Sequence, residues 1–146
     1  MGSRILTVAY LGRPADEVFA FVTTPRNWRR WRTSSLGVSG ATEHPLGPGE
    51  QVTEEFMAAG RRGRVVWTVT AREAPHLWSV EARTAEGGSA RLSYRLAPEA
   101  GGTRLEQELS YELPERWLRL LDRVALRRRL AREAGAAARR LEAVLR

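Results

Sequence analysis

The chain has 146 residues, 24 basic against 17 acidic, and a formal charge of +7. That length is typical of one domain and can bury a core unaided, so a single domain over residues 1–146 is expected. Cysteine is absent, which excludes disulfides, thiol catalysis and cysteine-bound zinc or iron–sulfur centres.

The charge is unevenly spread. Residues 1–113 carry 14 arginines against 13 acids, residues 114–146 carry 10 against 4, and no basic residue is a lysine. A basic segment of this kind is either a solvated helix face or a contact for nucleic acid or anionic lipid. The first ten residues lack the apolar core of a signal peptide, and no run approaches the ~18 apolar residues of a membrane span. A cytoplasmic location is the simplest expectation.

In chain order, residues 4–11 read as a strand, ended by Gly12. A short helix should follow from Pro14, with Asp16 and Glu17 in its first turn and Val18, Phe19, Phe21 and Val22 on its apolar side. Thr24 can cap a second helix that starts at Pro25 and sets Trp28 and Trp31 on one side. From residue 34 the pattern changes to period two. Six strands are expected at 34–42, 51–59, 64–73, 77–84, 90–97 and 103–113, separated by turns rich in glycine and proline, and short loops imply antiparallel neighbours. Pro114 then opens a single helix to residue 146, roughly eight or nine turns at 3.6 residues each. Trp117, Leu120, Leu121, Val124 and Ala131 define the side expected against the sheet, drifting to Ala134, Ala138, Leu141 and Leu145. Gly135 in mid-helix reads as a place of close packing or as space at a cavity mouth.

The segment Val18-Phe19-Ala20-Phe21-Val22-Thr23-Thr24-Pro25-Arg26-Asn27-Trp28-Arg29-Arg30-Trp31 resembles the signature of the SRPBCC superfamily. That superfamily groups START-like lipid carriers, polyketide cyclases and dehydrases, coenzyme Q-binding proteins and plant pathogenesis-related allergens. Thr24 stands where those proteins often have Asp or Asn. Gly47-Pro48-Gly49-Glu50 is similar to the loop before strand three, and Val66-Trp67-Thr68-Val69 to the central strand. The resemblance implies an α+β helix-grip fold: a curved seven-stranded antiparallel sheet, two short helices after strand one and a long C-terminal helix. It also implies a cavity between sheet and helix, while leaving the reaction, if any, open.

Strand parity selects polar residues among the inward apolar ones. In the last strand Gln107 shares a face with Leu105, Leu109 and Tyr111, and in the strand before it Tyr94 lies with Leu92 and Leu96. Glu54 shares a face with Val52, Phe56 and Ala58, and is inward only if that more apolar set is the buried one. Such groups need partners, which a ligand, cavity water or one another could supply. Trp67, Val69, Trp78 and Val80 are core residues first and cavity lining second. The expected ligand-binding set is therefore Phe56, Trp67, Val69, Trp78, Tyr94, Gln107, Leu109 and Tyr111, joined from the helix by Val124 and Arg128. Arg128 either meets a ligand carboxylate or Glu54, or extends to solvent beside Arg127 and Arg129.

His44, His76, Asp16 and Asp122 form no triad or metal pattern, and neither metal nor cofactor is expected. The expected function is binding or transport of a hydrophobic small molecule: a lipid, an isoprenoid or an aromatic polyketide-like compound. The alternatives are a cyclase or dehydratase with Glu54, Tyr94 and Tyr111 as acid or base and Gln107 orienting the substrate, or association of the basic helix with an anionic membrane or nucleic acid. The five tryptophans all have core positions, which argues against a nucleic-acid stacking surface. The sequence allows a monomer or a homodimer.

Overall fold

The computed structural model describes residues 3–83, 87–118 and 122–146. Its strands are β1 (Ser3–Leu11), β2 (Ser35–Gly40), β3 (Gln51–Ala58), β4 (Arg61–Glu73), β5 (Leu77–Arg83), β6 (Ser89–Glu99) and β7 (Gly102–Glu112). They form one antiparallel sheet in the order β1-β7-β6-β5-β4-β3-β2. The meander thus brings its last strand back to its first, Ser3 facing Tyr111 and Leu11 facing Thr103. β4 starts earlier than predicted because the β3–β4 turn is only Ala59-Gly60. Both take positive φ, 50° and 76°, so that Arg61 already pairs with Ala58. At the opposite end Gly102 is required by close approach, since a Cβ there would lie 2.1 Å from the Leu11 carbonyl oxygen.

After β1 come α1 (Ala15–Thr23), a 3-10 turn (Pro25–Asn27) and α2 (Trp28–Trp31). A helix leaves its last four carbonyls without intrahelical partners. In α1 all four are supplied: Ala20 by the Thr24 hydroxyl at 2.6 Å, Phe21 by Asn27 Nδ2 at 3.2 Å, Val22 by Trp28 Nε1 at 2.9 Å, and Thr23 by the Leu46 amide at 3.2 Å. Thr24 therefore does not cap the following helix as predicted, because its hydroxyl is turned back onto the helix before it.

The single C-terminal helix expected from Pro114 is two helices, α3 (Glu115–Leu118) and α4 (Arg123–Val144). Asp122 takes an extended conformation and its carboxylate accepts the Val124 and Ala125 amides at 3.0 and 3.1 Å, an N-cap that starts α4 afresh. Leu120 and Leu121 lie outside the described residues. The buried side of α4 consists of Ala137, Ala138 and Leu141, followed by Leu145, whereas Val124 is 61% exposed and Arg128 and Ala131 are exposed. The predicted stripe therefore holds only in its second half.

The reason is the placement of α4, which packs along β1 and against α2. β1 is an edge strand, and α4 side chains take up its outward backbone groups: Arg127 donates to Arg4 O at 3.1 Å, Arg139 to Val8 O at 2.8 Å, and Glu142 accepts the Tyr10 amide at 2.9 Å. On its other flank α4 holds the β3–β4 turn, where Glu133 accepts the Ala59 amide at 2.7 Å. A Cβ on Gly135 would meet nothing within 4 Å, so close packing does not require that glycine. Gly135→Ala is accordingly expected to be neutral or to stabilise by up to about 1 kcal/mol. Gly102→Ala should lower the urea midpoint sharply, and equal midpoints for the two variants would refute the assigned roles.

Candidate ligand site

The two short helices lie over one end of the sheet's concave face and fill it with aromatic rings. Trp28, Trp31, Trp78 and Tyr94 are fully buried. Trp78 stacks on Tyr94 with centroids 5.3 Å apart, Trp28 meets Trp78 edge-on at 6.3 Å, and Trp31 lies 6.1 Å from Tyr94. The Trp78 indole donates to the carbonyl of Leu46, a fully buried residue from the loop before β3.

Among these rings sits Arg32, the residue that ends α2, only 8% exposed. Its NH1 donates to both oxygens of Glu54, at 3.2 and 3.3 Å, and its NH2 to the Tyr94 hydroxyl at 2.5 Å. The guanidinium carbon lies 3.7 Å from the centroid of the Trp28 ring. Glu54 also accepts the Trp67 indole at 3.0 Å. Burial works against the charge on Arg32, but Tyr94 and Glu54 outweigh it and hold its pKa above the usual arginine value. Burial pushes the Tyr94 hydroxyl up, beyond the downward pull of Arg32. One cation thus joins α2, β3, β4 and β6 through hydrogen bonds or, for β4, through the shared Glu54.

The other end of the concave face is less covered. The inward side chains Phe56, Val65, Ala90, Leu109 and Tyr111 are only half-buried, and no residue of α4 before Ala137 is buried. The far end of the Phe56 ring lies over Gly63 on the neighbouring strand, where a Cβ would come within 2.6 Å of it. α3 reaches from the end of β7 toward the β3–β4 turn, placing Arg61 4.9 Å from the centre of the half-buried Trp117 ring. The apolar inward surface of β3–β4 and β6–β7 is thus left partly exposed at this end. A hollow beside Tyr10 and Gly101 and another between Val38, Thr53 and Arg64 do not include residues of this face.

The predicted residues therefore divide. Trp67, Val69, Trp78, Tyr94 and Glu54 are in the packed end, and the burial of Val52 with Glu54 shows that the more apolar face of β3 is the inward one. Phe56, Leu109 and Tyr111 belong to the half-covered row, and Gln107 stands at the boundary, opposite Tyr94 in the strand register and half-buried. Neither Gln107 nor the Tyr111 hydroxyl has a hydrogen-bond partner among the described residues. Val124 and Arg128 point away from the sheet, and the cation facing Glu54 is Arg32 rather than Arg128. Arg32 was missed because a loop arginine next to Arg29 and Arg30 has no pattern of its own. The signal available was indirect: an inward carboxylate needs a cation or several donors.

This curved sheet, with short helices after its first strand and a long helix held along its edge, is the helix-grip fold of START-like proteins. A family model for polyketide cyclase / dehydrase and lipid transport proteins matches residues 6–146, and the chain belongs to that family. Solved structures agree on the fold. A START superfamily protein from Mycobacterium smegmatis is 13% identical, with a TM-score of 0.73 over 97% of this chain and 96% of that one. The ginseng major latex-like protein 151 from Panax ginseng is 14% identical, with a TM-score of 0.67 over 99% and 97%. A protein from Arthrobacter aurescens is 21% identical, with a TM-score of 0.68 over 97% and 85%. No curated protein matches the sequence. No helix among the described residues is long and apolar enough to cross a membrane.

The buried pair yields a direct prediction. Arg32→Met leaves Glu54 without its cation and is expected to cost about 3–5 kcal/mol. Adding Glu54→Leu should recover most of that loss. Urea denaturation of the single and double variants measures the coupling, and additive losses would show that the pair is not coupled.

Proposed function

We propose that the protein binds or carries a hydrophobic small molecule, of the lipid, isoprenoid or aromatic polyketide-like class, in a half-open trough between β3–β4 and β6–β7 where the inward apolar surface is partly exposed. The observation that carries this reading is the row Phe56, Val65, Ala90, Leu109 and Tyr111, apolar surface facing inward yet left half-covered. Leaving such surface partly wet costs about 25 cal/mol per Å², and a ligand lying against it recovers that energy. Gln107 and the Tyr111 hydroxyl supply polar anchors for a carbonyl or hydroxyl on an otherwise apolar compound. Membership of a family described by lipid transport as well as by cyclisation is consistent with such a cargo.

A cyclase or dehydratase would use the same trough. Glu54 and Tyr94 are committed to Arg32, so Tyr111 is the proposed acid or base and Gln107 the orienting amide. Turnover of an aromatic polyketide precursor that is lost in Tyr111→Phe, with binding retained, distinguishes this from a carrier.

Native mass spectrometry of the purified protein, with identification of any compound released on denaturation, tests the binding reading. Ala90→Leu, which fills the trough at a small half-buried position, is expected to weaken a displaceable fluorescent fatty acid at least ten-fold while the melting temperature is held or raised. Gln107→Leu should weaken polar-headed ligands by roughly ten-fold, the worth of about one hydrogen bond, and leave purely apolar ones unchanged. Unaltered probe binding in Ala90→Leu would place the ligand elsewhere.

A further inference from the structure

The strand register sorts the molecule's charges by end. The end away from the trough carries the loop of Glu43 and Glu50, together with Glu17, Glu73 and Glu99, and its arginines are partly paired: Arg13 with Glu17 and Arg26 with Glu43. The trough end carries the β3–β4 turn, the end of β5, α3 and the first turns of α4, and hence Arg61, Arg62, Arg83, Arg116, Arg123 and Arg129. Among the described residues the acids there are Glu112, Glu115, Asp122 and Glu133, of which Asp122 is taken up by the α4 amides and Glu133 by the Ala59 amide. Arg62, Arg83 and Arg123 form no ion pair among the described residues. Two apolar side chains are exposed at the same end, Val124 on the first turn of α4 at 61% and Met57 beside the β3–β4 turn at 44%.

We propose that this end docks on an anionic lipid surface, trough mouth toward the membrane, so that the cargo passes between bilayer and trough without crossing water. The inference rests on the trough as the ligand site. A cationic rim with protruding apolar side chains is the chemistry of an interfacial contact: guanidinium groups meet lipid phosphates, and Val124 and Met57 enter the headgroup layer. Nucleic acid suits this end less well, because its aromatic rings are only half-exposed: Phe56 and Tyr111 face inward, and Trp117 has Arg61 over its ring. The outer face of α4 is also basic, but its arginines do not surround an opening into the apolar interior.

Flotation of the full-length protein with vesicles of phosphatidylcholine alone, and of phosphatidylcholine mixed with phosphatidylglycerol, tests this. Binding is expected only to the mixed vesicles and should fall as salt is raised. Arg62→Gln with Arg123→Gln should lower partitioning by roughly twenty-five-fold, since each basic side chain near the surface contributes about a five-fold factor. Val124→Asp should lower it as well. Arg132→Gln with Arg140→Gln, which removes the same charge from the outer face of α4, should lower it far less. Equal binding to both vesicle types, an equal loss in the two double variants, or preference for duplex DNA over the mixed vesicles would each overturn the proposal. Fatty-acid probe binding in free solution, measured on the same samples, separates the outcomes. Probe binding without vesicle binding refutes the docking alone, and absence of both refutes the ligand site.

Discussion

The interior is organised around one buried guanidinium, that of Arg32. Arg32 ends a four-residue helix that could not hold its position by its own hydrogen bonds, and its contacts with Glu54, Tyr94 and Trp28 fix that helix over the concave face. Taking two charges out of water is costly, and an apolar replacement of both can be as stable or more so. What the pair adds is placement. A carboxylate that must find its cation permits one seating of α2 on β3, whereas tryptophans alone could slide. With α2 seated, the aromatic cluster closes one end of the sheet and the uncovered apolar surface is confined to the other.

The same logic explains the segment from Phe19 to Trp28, whose polar residues serve the end of α1 rather than the start of α2. Thr24, Asn27 and Trp28 each donate to a carbonyl that the helix leaves free, and the Leu46 amide supplies the fourth. A sharp stop of this kind lets the chain turn under α1 within a few residues. It also ties the turn to the loop before β3, since the buried Leu46 both caps α1 and receives the Trp78 indole. The signature that identifies the family is thus largely a helix-termination device.

The strands were legible because their alternation is strong and glycine or proline interrupts it at each turn. The inward positions of Tyr94 and Gln107 followed from the same period, whereas that of Glu54 stayed conditional on which face of β3 was buried. What pattern could not convey was which inward residues would be covered, because that depends on where the helices settle. α4 was read as facing the sheet along its whole length, yet it leans on the edge strand, so Val124 and Arg128 are outside. The break at Asp122 was hidden by good helix formers on both sides, although aspartate before a run of helix formers is a cap signal in its own right. Arg32 was hidden by its neighbours: among 24 arginines, burial of one is not a property of composition.

The seam between α4 and β1 also bears on how the chain reaches this state. All seven strands precede α4 in sequence, and β1 cannot pair with β7 until about a hundred further residues are available. During synthesis the sheet therefore passes through a stage with two bare edges, and only α4, made after all seven strands, supplies the arginine and glutamate side chains that occupy the β1 edge. Until then the strand is adhesive toward any other extended chain. The helix thus has a second task besides packing on α2: it makes the finished sheet unreceptive to strangers on that side, leaving β2 as the sheet's other edge strand.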